Sequence, residues 1–300
     1  MLLGEEVDIA LPWGNVAGKM WGNKGGYPTI CLHGYNDNAA SFDRLLPHLA
    51  SRSRCFFAVD LPGHGKSNHY PLNSQVSYLD YLADLKRICE YFSWTQVDII
   101  AHSLRSQLSL YFASIFPKLV QKLVLIDLVA GEVLFEYSHI YDVTVHEVNS
   151  MIRPIESSTN NHLYSEELAL KKFLEGRIAT IKDEFAIPLF KRSISTCNDK
   201  VYFSNDKRNM KFMTPLIPSQ FHLALVSKVQ CPVLIIMSTM SEVYVEKAKT
   251  SYVTLKLLQT SLGKHLKIKQ TNFSHDMHIE NSGEVAYIIG NYLIGTSSKL

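Results

Sequence analysis

The segment Ala101-His102-Ser103-Leu104-Arg105 follows a short apolar run and precedes a stretch with helical spacing. Such a position is typical of the sharp strand-to-helix turn that carries a serine nucleophile, whose usual pattern is G-x-S-x-G. Both glycines are replaced here, the first by Ala101 and the second by Arg105. The sequence therefore predicts a nucleophile at Ser103 and raises the question of whether Arg105 lets it react.

Polar residues with catalytic chemistry follow each short apolar run of the chain. In chain order they are His33-Gly34-Tyr35, Asp60 with Gly63-His64-Gly65, Ser103, Asp127, Ser241-Glu242 and His275. A serine, an acid and a histidine in this order are typical of a triad in which the histidine takes the serine proton and the acid orients the histidine. The oxyanion that develops needs two backbone N–H groups, which we expect from Tyr35 and Leu104.

The acid of this triad has two candidates. The commonest place for it is just after the run 233–237, at the position of Ser241, where a serine cannot carry the charge. Glu242 is adjacent but starts one residue further on. Asp127 follows the preceding run, although a short carboxylate also suits a loop-fixing role there. We favour Asp127 and keep Glu242 as the alternative.

Six short apolar runs predict the strands that must position these residues. They cover residues 28–32, 55–59, 97–100, 123–126, 233–237 and 266–268. Such runs are typical of strands buried on both faces, and intervening segments such as 78–92 and 284–294 have the apolar spacing of helices. Residues 6–21 predict an opening hairpin. The alternation predicts an α/β fold with a mostly parallel central sheet and helices on both faces.

The interval 132–228 interrupts this rhythm because it holds no clear buried strand. Within it, segment 165–185 begins with half of a capping-box pattern and carries apolar residues at helical spacing. A structureless loop of this length is uncommon in a compact domain. We therefore predict a helical lid at 132–228, inserted between a first core part at 1–131 and a second at 229–300.

Composition narrows the functional classes. The 300 residues are 46% hydrophobic with a net charge of +2, which gives no reason to expect nucleic acid or an anionic membrane as a partner. No apolar run approaches the roughly 18 residues of a membrane span. The five cysteines include no C-x-x-C pair, which favours a reduced intracellular protein without a disulfide framework. No His/Cys/Asp cluster has ligand spacing, so we expect neither a metal site nor a cofactor.

The two ends of the sequence carry different signals. The start, MLLGEEVDIALPWG, has early acids and lacks a basic segment, so we do not expect a signal peptide. The last residues are Ser298-Lys299-Leu300, and S-K-L at a C-terminus is an address read by the peroxisomal import receptor. We therefore expect that receptor as a partner and the peroxisome as the location, with the cytoplasm as the alternative.

Long motifs resemble a known family. LHGYNDNAASFDRLLPHL (32–49), VDLPGHGKSNHYP (59–71), LVLIDL (123–128) and HDMHIENSGEVAYII (275–289) are similar to the serine hydrolase-like family of animal α/β-hydrolases, the Kraken-type proteins. The resemblance covers nearly the whole chain and implies an α/β-hydrolase fold and hydrolase activity. It also implies that the base is the first histidine of the pair His275 and His278, and that Asp60 and His64 brace a turn.

Arg105 leaves two functional hypotheses open. Its side chain could reach solvent along an apolar surface, pair with Asp127 or Glu242, or displace the turn and misplace Ser103. The first hypothesis is a serine hydrolase that forms an acyl-enzyme with a small-molecule ester or thioester. The alternative is a catalytically impaired relative that keeps the pocket for binding. A dehalogenase or epoxide hydrolase is disfavoured because those enzymes carry an aspartate at the turn.

Overall fold

The computed structural model describes residues 4–71, 76–128, 133–134, 145, 162–177, 181–208, 217–240 and 248–294. Its centre is a sheet of eight strands. They are β1 (Glu5–Leu11), β2 (Gly14–Gly22), β3 (Tyr27–Leu32), β4 (Arg54–Val59), β5 (Val97–His102), β6 (Val120–Ile126), β11 (Val233–Ser238) and β12 (Leu266–Thr271). Each of the six apolar runs lies in one of these strands, and the predicted hairpin is β1 with β2.

The strand order across the sheet is β1-β2-β4-β3-β5-β6-β11-β12. Strand β2 is antiparallel to both of its neighbours, and all other pairs are parallel. The carboxyl ends of β3, β5, β6 and β12 therefore meet at one edge of the sheet, where open α/β sheets bind their ligands. The predicted α/β fold with a mostly parallel sheet is confirmed.

Helices cover both faces of the sheet. They are α1 (Leu46–Leu49), α2 (Tyr78–Tyr91), α3 (Arg105–Ile115), α4 (Glu166–Glu175), α5 (Asp183–Arg192), α6 (Ser219–Val226), α7 (Ala248–Leu262), α8 (Met277–Glu280) and α9 (Ser282–Ile294). One apolar core includes side chains of α2, α3, α6 and α7, and the core on the opposite face includes side chains of α1 and α9. Nearly all residues of β3 to β6 are buried between these layers, which explains why their sequences are continuously apolar.

The interval 132–228 contains more than helices. Its described residues form α4, α5 and α6, together with an antiparallel hairpin of β8 (Ile194–Cys197) and β9 (Lys200–Phe203). A short parallel pair joins β7 (Val133–Leu134) to β10 (Ile217–Pro218). The hairpin was not predicted, although Asn198, whose φ is 52°, occupies its turn as asparagine often does. Helix α4 begins as its sequence predicts, because the Ser165 hydroxyl accepts from the N–H of Leu168.

Several sequence predictions lie outside the described residues. They concern Ser241, Glu242 and the terminal Ser298-Lys299-Leu300. The peroxisomal location and its import receptor therefore stay predictions. Among the helices of the described residues, none combines the length and apolarity that crossing a membrane requires.

Candidate active site

Ser103 lies in a sharp turn between β5 and α3. Its φ is 55°, a left-handed backbone conformation that side chains rarely adopt and that is typical of strained functional turns. The N–H of Ser103 donates to the Ile126 carbonyl, and its own carbonyl accepts from the N–H of Ser106 as the helix starts. The two replaced glycines have therefore not prevented the turn that mounts a nucleophile.

His275 connects Ser103 to Asp127. The Nε2 atom of His275 lies 2.9 Å from the Ser103 Oγ, and its Nδ1 lies 2.5 Å from the Asp127 Oδ2. All three side chains are buried, with exposed fractions of 5% or less. The geometry allows the serine hydroxyl to donate to Nε2 while the carboxylate holds the Nδ1 proton.

Asp127 is fixed by the strands around it. It follows β6 with a φ of 47°, and its N–H donates to the Ile236 carbonyl. Its second oxygen, Oδ1, accepts from the N–H of Ser238 at 2.9 Å. Of the two predicted acids, Asp127 is thus beside the histidine, while Glu242 lies outside the described residues.

The loop after β3, residues 33–38, lies against the turn that holds Ser103. A Cβ atom added at Gly34 would be 2.6 Å from His102 Nδ1 and 3.5 Å from the Ser103 Cβ, so a larger residue would not fit. Tyr35 comes next in this loop, and Leu104 comes next after Ser103. Within the described residues, the N–H of Leu104 donates to no carbonyl. Both predicted oxyanion donors therefore lie on segments that flank Ser103.

Arg105 is accommodated without displacing Ser103. Its guanidinium carbon lies 5.1 Å from the centre of the Tyr81 ring, and its Nε is buried without a hydrogen-bond partner. No carboxylate within the described ranges forms an ion pair with it, and Asp127 is engaged elsewhere. Burial lowers the pKa of the Arg105 guanidinium, and nearby tyrosines oppose that effect. Displacement of the turn and pairing with Asp127 are therefore wrong for this structure, and the predicted pairing with Glu242 lies outside the described residues.

A cavity of about 340 Å³ opens onto Ser103 and His275. Its walls come from the loop after β3, the loop after β12 and the interval 132–228. Phe173 and Phe203 supply apolar surface, and Lys172 and Lys207 supply positive charge, while Arg177 is paired with Asp37 and Asp276 in the same lining. The volume falls in the range of small-molecule sites.

The segment 60–67 makes structural contacts. Asp60 accepts hydrogen bonds from the N–H groups of Ala39 and Lys66 and pairs with Arg192 at 2.8 Å. A Cβ at Gly65, whose φ is 54°, would collide with the Asp60 carboxylate. His64 is buried beside the Pro62 carbonyl, and burial holds its pKa well below the usual value. Neither Asp60 nor His64 lines the cavity at Ser103.

Comparisons with known proteins agree with this geometry. The family profile described as the alpha/beta hydrolase fold matches residues 27–242. The chain belongs to the α/β-hydrolase family. A Drosophila melanogaster protein named "Probable serine hydrolase" is 31% identical over 234 residues, covering 77% of this chain and 70% of the relative. The Mus musculus "Serine hydrolase-like protein" is 26% identical over the whole length of both chains.

The resemblance to serine hydrolase-like proteins is thus confirmed for this α/β-hydrolase. A crystal structure of a hypothetical protein from Pseudomonas aeruginosa PAO1 has a TM-score of 0.84 and 25% identity, with 96% of this chain and 99% of that chain covered. The coarse assignment that follows is a hydrolase of the α/β fold.

Three buried side chains of the α/β-hydrolase form a cluster that could be mistaken for a metal site. Candidate ligand atoms of His102, Asp276 and His278 lie within 4.8 Å of one another. The His102 Nε2 lies 3.1 Å from the His275 carbonyl, and Asp276 pairs with Arg177. The Nδ1 of His102 and both nitrogens of His278 are buried without a hydrogen-bond partner among the described residues. Burial lowers the pKa of His102 to about 4, so its ring is neutral and suits donation to that carbonyl. We assign no metal here.

Sequence reasoning missed several residues that shape the site. Arg177, from the interval 132–228, pairs with Asp37 and Asp276, and His102 contacts the backbone of His275. These partners are separated by 99 to 173 residues in the chain. The sequence offered one indication, which is that Asp37 lies two residues after Tyr35 and Asp276 directly follows His275.

Proposed function

We propose that this α/β-hydrolase is a serine hydrolase that cleaves a small-molecule ester or thioester through an acyl-enzyme on Ser103. The observation that carries the proposal is the continuous contact from Ser103 through His275 to Asp127, at 2.9 Å and 2.5 Å. A serine hydroxyl needs an adjacent base to become an effective nucleophile, and this arrangement provides one.

The first half-reaction would transfer the acyl group to the serine. The Ser103 hydroxyl passes its proton to His275 Nε2 as its oxygen attacks the substrate carbonyl carbon. Asp127 stabilises the resulting imidazolium, and the negative charge on the carbonyl oxygen is received by the N–H groups of Tyr35 and Leu104. The imidazolium then protonates the leaving alcohol or thiol as the carbon–oxygen or carbon–sulfur bond breaks.

The second half-reaction would release the acid. A water molecule gives a proton to His275 Nε2 and attacks the acyl carbon, and the same N–H groups receive the charge again. Collapse of this intermediate returns the proton to Ser103 and frees the carboxylic acid. The turn at Ser103 lies at the N-terminus of α3, where the helix dipole favours an anion.

The cavity favours an acyl group of modest size. Phe173 and Phe203 offer apolar contacts to an acyl chain, while Lys172 and Lys207 stand at the same opening. A volume of about 340 Å³ suits a compact substrate better than a long extended chain. These features support an acyl substrate.

A fluorophosphonate probe tests the proposal directly. The natural protein should be labelled covalently. The Ser103→Ala variant should fold normally and should not be labelled. A panel of short-chain nitrophenyl esters and thioesters should then show turnover in the natural protein only. Absence of both labelling and turnover in a folded protein would contradict the proposal.

The alternative is an impaired relative that retains the pocket for binding. Its support is Arg105, whose Nε is buried without a hydrogen-bond partner two residues after the nucleophile. Under this alternative the natural protein stays unlabelled and Arg105→Gly becomes labelled. The two hypotheses therefore differ in the natural protein, which is labelled under the first and unlabelled under the second, while Arg105→Gly is labelled under both.

A further inference from the structure

Arg177 forms ion pairs with two loops of the site, the loop after β3 and the loop after β12. Its Nη1 donates to Asp37 Oδ1 at 2.7 Å, and its Nη2 donates to Asp276 Oδ2 at 2.9 Å. The side chains are enclosed, with exposed fractions of 10% for Arg177 and 3% for each aspartate. Charge-assisted hydrogen bonds in such surroundings are stronger than those at a surface.

Each aspartate stands close to a residue of the proposed reaction. Asp37 is two residues beyond Tyr35 in the loop after β3. Asp276 directly follows His275 and starts helix α8, because its carbonyl accepts from the N–H groups of Ile279 and Glu280. A displacement of either carboxylate would therefore move an oxyanion donor or the base.

The guanidinium also balances the charge of this region. Burial alone would raise the pKa of Asp276, but Arg177 and the imidazoles of His102 and His275 hold it below the usual value. Asp276 is therefore ionised, and the pKa of Arg177 is raised by its two partners despite burial. Without Arg177, two buried carboxylates would face each other with no cation between them.

We propose that Arg177 is a positioning residue, through which the interval 132–228 holds the loop after β3 and the loop after β12 in the geometry that Ser103 needs. The expected effect on rate rests on the proposed function, but the coupling of the two loops through Arg177 does not depend on that function. A displacement of about 1 Å at such a site can cost about 100-fold in rate, so the contribution is measurable.

Hydrogen–deuterium exchange tests the coupling. Arg177→Gln should accelerate exchange in peptides covering residues 33–42 and in those covering 272–281. Lys171→Gln is the matched control, since Lys171 carries the same charge on helix α4 but is 71% exposed. Within the described residues its only ion pair is with Glu175. Arg177→Lys keeps the charge and loses the two-pronged contact, so it should loosen the loops less and provides a second variant if Arg177→Gln does not fold.

The rate of fluorophosphonate labelling tests the positioning role. We expect Arg177→Gln to react about 10- to 100-fold more slowly than the natural protein, Arg177→Lys to lie between them, and Lys171→Gln to match the natural protein.

A double variant separates charge from geometry. Arg177→Gln with Asp276→Asn removes both charges but does not restore the contact that links the two loops, so the labelling rate should stay low. Unchanged exchange in both loops of Arg177→Gln, or loosened loops with an unchanged labelling rate, would overturn the inference. If the natural protein is not labelled at all but Arg177→Gln loosens both loops, the proposed function fails and the coupling stands.

Discussion

The carboxylate of Asp127 bridges His275 and Ser238, accepting from the imidazole Nδ1 at 2.5 Å and from the backbone N–H of Ser238 at 2.9 Å. This carboxylate lies at the end of β6, which is the neighbour of β11 in the sheet, whereas the commonest place for the acid is after β11. Strands β6 and β11 are hydrogen-bonded neighbours in the sheet. Because the two strands are adjacent, a carboxylate at the end of β6 lies close to the end of β11 and contacts His275 from there.

Substitution of Asp127 gives the first prediction. Asp127→Asn keeps the shape of the side chain but favours the wrong tautomer of His275, so labelling and ester turnover should fall by about 1,000- to 10,000-fold. The measurement is the second-order rate of fluorophosphonate labelling. Glu242→Gln serves as the comparison, and we expect less than about a threefold change. A large loss in Glu242→Gln with little loss in Asp127→Asn would transfer the role to Glu242.

Arg105 gives the second prediction. Since the turn at Ser103 is intact with the arginine present, the natural protein should be labelled, and Arg105→Gly should react within about threefold of it. Glycine should instead lower the free energy of unfolding by about 1–2 kcal/mol, through its poor helix propensity and the lost contact with Tyr81. Chemical denaturation measures this change. Labelling that is at least about tenfold faster in Arg105→Gly would show that the arginine obstructs the site.

The sheet could be predicted from the sequence because its central strands are buried on both faces. Runs such as 55–59 and 123–126 are apolar throughout, which marks them without any alignment. The hairpin of β8 and β9 escaped prediction because its strands have four residues each and are only partly buried, so neither periodicity nor hydrophobicity stands out. Local patterns identify core strands better than strands in an insertion.

The candidate site was predictable to the extent that it follows strand ends. Ser103, Asp127 and His275 each come directly after a strand or its short loop, and parallel topology brings such ends to one edge. Arg177 was not predictable, because it lies in a polar segment and finds its partners 99 and 140 residues away. Contacts between an insertion and the core depend on packing that no short motif encodes.

Gly34 gives the third prediction. In Gly34→Ala the added methyl group would lie 2.6 Å from His102 Nδ1, and His102 in turn contacts the His275 carbonyl. We expect the ring to shift and the labelling rate to fall by about tenfold or more. Gly290→Ala, within helix α9, is the control, since among the described residues its new methyl group would come near Leu49 alone, at 3.7 Å. That change should leave the rate unaltered and raise stability by up to about 1 kcal/mol. Equal rates in both variants would contradict the close approach at Gly34.

The buried His222 gives the last prediction, which concerns stability and pH. Its Nδ1 lies 2.7 Å from the Tyr111 hydroxyl and its Nε2 lies 2.8 Å from the Thr254 hydroxyl, between helices α3, α6 and α7. Burial lowers the pKa of His222 from 6.5 to about 4. Above pH 6.5 the ring is neutral in both the folded and the unfolded chain, so it adds no pH dependence.

Below pH 6.5 His222 is protonated in the unfolded chain, but in the folded chain it stays neutral until the pH approaches about 4. Stability should therefore decrease as pH falls through this window, by up to about 1.4 kcal/mol per pH unit for one such proton. His222→Gln retains hydrogen-bonding groups but cannot titrate, so its unfolding free energy should fall less steeply between pH 6.5 and 4. Denaturant titrations of both proteins across this range measure the two slopes. Parallel slopes would mean that His222 takes up its proton equally well in the folded protein, contrary to its burial between the three helices.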